Sequence, residues 1–182
     1  MENNNDILEK EVKNQPSAET TTFVSQDKID RYMEQIRPDQ NFPQAVLAGL
    51  AAALVGAAVW ALITVSTEHQ IGYMAVLVGF LVGFVVRVTG KGIDQKFGIL
   101  GALLAVLGCL IGNLFSTLGF IAQAGGVSFF SVLSVIDLKL IPELMGETFN
   151  FIDLLFYGIA IYEGYKFSFR KVTEEEVAKN VF

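Results

Sequence analysis

The sequence has little with which to hold a metal or break a bond. It contains one histidine, His69, and one cysteine, Cys109. A zinc site needs three or four nitrogen, sulfur or carboxylate ligands, so a multi-histidine or Cys/His metal centre is excluded. An internal disulfide is excluded because it needs two cysteines. No Gly-x-Ser-x-Gly nucleophile motif occurs, and TGKGIDQKFG at 89–98 has neither the spacing nor the preceding strand of a phosphate loop. That stretch reads as a basic turn, and no cofactor is implied. Charge is also scarce, at 18% of residues against about 25% in a soluble domain. The net charge of −6 leaves no basic surface for a nucleic-acid partner. The N-terminus lacks a basic segment followed by an apolar one, so no cleavable signal peptide is expected. The first apolar run is expected to serve as an uncleaved insertion signal.

What the chain does have is apolar surface in long runs. Hydrophobic residues make up 52% of it, with 15 Phe and 17 Gly, and mean hydropathy is +0.48. Charges concentrate in 1–41 and 166–182. Residues 1–25 read as a disordered polar tail. Over 26–38, Ile29, Tyr32, Met33 and Ile36 repeat at helical spacing, which predicts an amphipathic helix ended by Pro38. That helix is expected to lie on the membrane surface or to pack on its own protein. Residues 42–167 read as a four-span transmembrane domain with spans at about 42–67, 71–88, 97–122 and 149–167. The uncharged positions 45–65 alone would reach roughly 31 Å as a helix, enough for the hydrocarbon core. The third span is long enough to tilt, or to break near Gly112-Asn113. Between the last two spans, Val127–Ile136 is too short to cross and predicts an interfacial or re-entrant helix. Residues 168–182 read as a C-terminal tail. The fold class is therefore all-α: a four-helix transmembrane bundle with a short amphipathic helix before it and an interfacial or re-entrant helix before the last span.

Basic residues set the expected orientation. Lys28, Arg31 and Arg37 precede the first span, Arg87, Lys91 and Lys96 surround the second loop, and Lys166, Arg170 and Lys171 close the last span. The third connection has only Lys139. Four spans put every basic cluster on one side, so both termini are expected to be cytoplasmic in a bacterial inner membrane.

In lipid, apolar burial does not draw helices together; close backbone contact does, and small residues permit it. Gly49 and Gly56, Gly72 and Gly79, and Gly101 and Gly108 each stand seven apart, with Gly83 and Gly112 continuing two of the rows. These eight glycines are expected to form helix-packing faces in the bundle or in an oligomer. The intervening Val78 and Leu104 are expected to matter less.

Polar groups inside spans are costly and are the candidates for function. Asn113 lies in span three, and Asp153 and Tyr157 share a face of span four, so the three form a candidate intramembrane polar site. Asn113 alternatively serves as interhelical glue, and Asp153 as an acid reaching outer water. Glu163 is expected to pair with Lys166 three residues on. Trp60 suits an interface belt or packing.

The stretch FPQAVLAGLAAALVGAAVWALITVSTEHQIGYMAVLVGFLVGFVVRVTGKGID (42–94), FGILGALLAVLGCLIGNLF and DLLFYGIAIYEGYKFS together resemble uncharacterised small polytopic proteins of bacterial inner membranes. The resemblance covers roughly two-thirds of the chain and implies a membrane location and a bacterial source, with no activity attached. The leading expectation is a non-enzymatic scaffold or accessory subunit, surrounded by membrane lipid and assembling as a homo-oligomer or within a larger membrane complex. The alternative is a small-solute or ion transport component working as an oligomer around Asn113 and Asp153. An enzyme is the weakest of the three readings.

Overall fold

The computed structural model describes residues 25–69 and 72–180. The expected disordered tail therefore falls almost wholly outside the described residues. Every regular element among them is helical: α1 (Gln26–Ile36), α2 (Phe42–Thr67), α3 (Met74–Gly90), α4 (Gln95–Gly125), α5 (Phe129–Val135), α6 (Ile141–Thr148), α7 (Phe151–Phe167) and α8 (Glu174–Asn180). Short 3₁₀ turns cover Arg37–Asp39 and Leu138–Leu140.

Local chemistry sets the helix ends. The Asn41 side chain accepts a hydrogen bond from the Gln44 amide, and Pro43 occupies the first turn of α2, where its missing N–H costs nothing. Glu68, Lys91 and Gly126 take left-handed conformations just past α2, α3 and α4. No break occurs at Gly112-Asn113: α4 is continuous for 31 residues. At 1.5 Å per residue α4 reaches about 46 Å and α2 about 39 Å, while the 17-residue α3 and α7 reach about 26 Å. Among the described residues, two helices, α2 and α4, are by length and composition alone able to cross a membrane.

Of the described residues, those between 33 and 172 form one compact unit, and 25–32 with 173–180 form another. In the first, α3 and α4 pack on each other and each also packs on both α2 and α7. Among the described residues no Cα of α2 lies within 8 Å of one in α7, so the section is a rhombus with α3 and α4 on the short diagonal. The amide of Asn41 donates to the Gly90 carbonyl at 2.9 Å and that of Arg170 to Gly92 at 2.8 Å, which ties three helix ends together. Gln40 joins them, donating to Asp94 at 3.2 Å and accepting from the Ile93 amide. Asp94 also faces Lys96 at 3.2 Å and Arg37 at 3.5 Å. In the second unit, the Tyr32 hydroxyl donates to Glu176 at 2.8 Å, and Val177 is fully buried. The C-terminal segment read as a plain tail thus contains α8.

The interior is built from small residues. Ala45, Ala53, Ala57, Ala75, Ala105 and Ala160 are fully buried, as are Val82 and Val86. The glycines read as packing faces point into this interior. A Cβ on Gly79 would stand 2.5 Å from the Ala160 carbonyl oxygen, and one on Gly83 would stand 3.1 Å from those of Glu163 and Gly164, so both hold α3 against α7. Gly101 meets Gly164 of α7 and Ser168 just past its end. Gly49 faces Val86 and Leu104, Gly56 faces Val78, Gly108 faces Val78 and Ala53, and Gly112 faces Trp60. Gly72 lies in the turn before α3 and faces Phe156. Val78 and Leu104, expected to matter less, are buried and fill the hollows that Gly49, Gly56 and Gly108 leave.

Two predictions follow from this packing. Gly79→Ala puts a methyl against α7 backbone that cannot swing aside, and should cost about 1–3 kcal/mol. Gly158, inside α7 with nothing within 4 Å of its missing Cβ, gives the control: Gly158→Ala should be neutral or stabilise by up to about 1 kcal/mol. Melting of the two variants in one detergent checks the contrast. The second prediction concerns acid. Burial opposes ionisation of Asp94, but hydrogen bonds from Lys96 and Gln40 and the charges of Arg37 and Lys96 outweigh it and hold the carboxyl below its ordinary 3.8. A lowered folded-state pKa stabilises the fold above 3.8, and that contribution disappears as pH falls through the lowered value. Asp94→Asn should therefore melt below the parent at neutral pH, with the gap closing in acid below 3.8.

Candidate functional site

The polar residues singled out in the apolar runs gather at the junction of α4 and α7, toward the end of the bundle away from Asn41. Asp153 is placed by the start of α7. It is the third residue of that helix, and its carboxylate accepts from the Asn150 amide at 2.8 Å, while the Asn150 side chain accepts from the Asp153 amide. This reciprocal arrangement satisfies donors that a helix N-terminus otherwise leaves bare. An acid there also meets the positive end of the helix dipole. Asp153 is 6% exposed, so the reading of an acid reaching outer water does not describe it.

Tyr157, one turn further along, is also buried. Its hydroxyl donates to the Cys109 carbonyl of α4 at 3.3 Å, and the Asn113 side chain is its second hydrogen-bonding partner. Its ring meets Phe149 edge-on at 5.8 Å between centroids. Asn113 and Tyr157 are thus brought together. Asp153 shares their helix face but turns back to cap α7, and Tyr157 directs its proton to α4 rather than to Asp153. The Cys109 thiol is fully buried and lies 3.8 Å from the Ala75 carbonyl of α3. The chemistry available here is neutral hydrogen bonding that ties α7 to α4.

His69 stands apart in the exposed turn after α2, its ring bonded to the Thr67 carbonyl. Among the described residues no three His, Cys, Asp or Glu side chains converge to hold a metal ion. Glu163 and Lys166 do not form the expected ion pair; the Lys166 ammonium lies over the rings of Tyr162 and Phe167, at 5.3 and 5.6 Å.

Two residues were undervalued by the sequence. Trp60 is 2% exposed in the core against Gly112, and Thr64 is fully buried on the same face of α2. The signal was depth: Trp60 lies seven residues before the end of α2, about 10 Å inside it, too deep for an interface belt. Neither Trp60 Nε1 nor Thr64 Oγ1 has a hydrogen-bond partner among the described residues.

No family model matches this chain, and no curated protein or solved structure shows significant similarity to it.

The geometry separates two roles for Asp153. As a helix cap it should tolerate Asp153→Asn, since asparagine accepts the same bond, while Asp153→Leu should lose about 0.5–2 kcal/mol. Tyr157→Phe, which unties α7 from Cys109 and Asn113, should lower the melting temperature in the same way. Loss of a transport signal in Asp153→Asn with unchanged melting would instead assign the charge a role in passage.

Proposed function

We propose that the chain is a four-span protein of a bacterial cytoplasmic membrane, with both termini cytoplasmic, serving as a non-enzymatic scaffold or accessory subunit of a membrane assembly. The observation that carries the membrane reading is the inverted distribution of side chains. Alanine and glycine make up much of the interior, beside a few large side chains such as Trp60 and Phe97, while many large apolar residues stand outside on all four bundle helices: Leu47 and Leu62 on α2, Phe84 on α3, Leu103 on α4, Phe151 and Leu155 on α7. Water would penalise that exterior; lipid does not.

The span count draws on a second observation. The Tyr32–Glu176 bond joins α1 to α8, so the chain on either side of the bundle lies on one side of any membrane, which supports an even number of crossings. Two helices meet the length and apolarity of a span unaided. The 17 residues of α3 and of α7 lie at the low end of the usual range of about 17–25, and both helices carry an outward apolar face. A bundle whose members share one interior gives α3 and α7 the same surroundings as α2 and α4. Arg37, Lys91, Lys96 and Arg170 all belong to the tied end of the bundle, which supports a cytoplasmic assignment for that end.

The non-enzymatic reading rests on the thin inventory of reactive groups, with His69 and Cys109 on separate parts of the bundle. The glycine faces are used up within one chain, so a homo-oligomer or larger complex would form through the outward apolar faces. One of these is a groove of about 520 Å³ between α2, α4 and α5, lined by Ala58, Leu62, Phe115, Gly119, Phe130 and Leu133. The transport alternative keeps Asn113, Tyr157 and Asp153 as a polar path. The bonds already made by Tyr157 and Asp153 favour a clamp.

Single cysteines placed in a Cys109→Ala background test the topology. Impermeant reagent applied outside intact cells should label position 69 and positions within 125–147, and should spare 28, 94 and 175. Strong outside labelling at 175 would remove the fourth span. In mild detergent the particle should weigh more than the 19.9 kDa chain or carry a co-purifying membrane protein; a lone chain contradicts the scaffold role.

A further inference from the structure

Five hydroxyl side chains of the bundle helices and their ends resolve their hydrogen bonding in one way. Thr67 donates to Ile63, Thr89 to Val85, Ser116 to Gly112, Thr117 to Asn113 and Ser168 to Gly164, each to the carbonyl one turn earlier, at 2.5–3.0 Å. Thr64 does not. Its hydroxyl is fully buried and without a partner among the described residues, and so is the indole N–H of Trp60, four residues before it. Four residues on a helix is one face, with about 5–6 Å between Cβ atoms. Two polar groups at that spacing, both withdrawn from solvent and neither paired among the described residues, call for a shared partner. Buried polar groups are otherwise almost always paired.

The neighbours fix where that place is. Gly112 gives up its side chain to the Trp60 indole, and Gly119 gives up its own to Val65, so α2 and α4 run parallel with Thr64 at the level of Ser116. Ser116 is buried, and because its hydroxyl donates to Gly112, its oxygen keeps lone pairs free to accept. On the α3 side Trp60 belongs to the same packed cluster as Met74 and Ala75.

We infer that Trp60 and Thr64 hold one internal water molecule between α2 and α4, with Ser116 as its third contact. The donor set dictates the ligand. An indole N–H can only donate, so the ligand must accept; the Thr64 hydroxyl does either; the Ser116 oxygen accepts, so the ligand must also donate. The ligand is uncharged, because α2 has no charged residue from Phe42 to Thr67 and α4 has none from Phe97 to Gly125. It is small, because Trp60 and Thr64 are one helical turn apart. Water meets all of these conditions and makes about three hydrogen bonds in buried sites. The inference needs the bundle geometry alone and is independent of the scaffold role.

The test is a solvent-resolving crystal structure of the whole protein grown from a lipid mesophase, with melting of Thr64→Val beside it. The map should show one peak within about 2.7–3.2 Å of both Trp60 Nε1 and Thr64 Oγ1. Thr64→Val, which keeps the shape and removes the hydroxyl, should lose that peak and melt about 2–4 °C lower. A parent map with no peak there, or with the indole N–H directly on a protein acceptor, overturns the inference. So does a Thr64→Val protein that melts higher than the parent, since removing an unpaired hydroxyl from a dry core relieves its burial. Should that variant fail to assemble, the parent map decides alone.

Discussion

Everything else in the bundle depends on how closely α7 approaches α3 and α4. The approach is backbone on backbone: Gly79 and Gly83 against Ala160 and Gly164 on one side, Gly101 against Gly164 on the other. Gly164 sits where the three helices meet. Its own missing Cβ would stand 2.7 Å from the Gly101 carbonyl oxygen and 2.8 Å from Ala105. Dispersion falls steeply with separation, so contact at this range supplies attraction that lipid cannot match once helices part. The same closeness lets Tyr157 reach across to Cys109 and Asn113.

That constraint explains why the two shorter helices belong with the longer ones. Neither α3 nor α7 is long enough to be conspicuous, yet each contributes to one continuous interior with α4. The capping box of Asn150 and Asp153 starts α7 sharply, and Ser168, bonded to Gly164, closes its other end. A helix bounded this tightly has little length to spare, and both its acids fall in its first or last turns: Asp153 in the first, Glu163 near the tied end beside Lys166. The charge that weakens α7 as an apolar segment is thereby kept out of its middle.

Much of this was legible in the sequence because close helix packing leaves a one-letter trace. Glycines seven apart marked the inward faces, and uncharged runs marked the helices to within a few residues at Phe42–Thr67 and Gln95–Gly125. The sequence was less informative where a residue's partner is remote. Asp153 looked like an acid in a span because its cap, Asn150, appeared to lie inside the same apolar run. Val78 and Leu104 looked less important than the glycines because nothing local says that a large residue fills the hollow left by a distant glycine. Trp60 was read as belt or packing and Thr64 drew no notice, because an unpaired donor is visible only once every neighbour is known. The pairing of α1 with α8 rests on Tyr32 and Glu176, 144 positions apart, with no pattern connecting them.

The most direct measurement is a spin-label accessibility scan along α7, placing one label at each position from 151 to 167 in protein reconstituted in lipid. Oxygen, which concentrates in the hydrocarbon, and a water-soluble nickel complex are used as paired relaxants. A fourth span with an inverted side-chain distribution predicts high oxygen accessibility at 154, 155, 158, 161 and 162, low accessibility to both reagents at 153, 157, 160 and 164, and a helical period throughout. Nickel accessibility along the outward face of α7 would put that helix in water and contradict a four-span bundle.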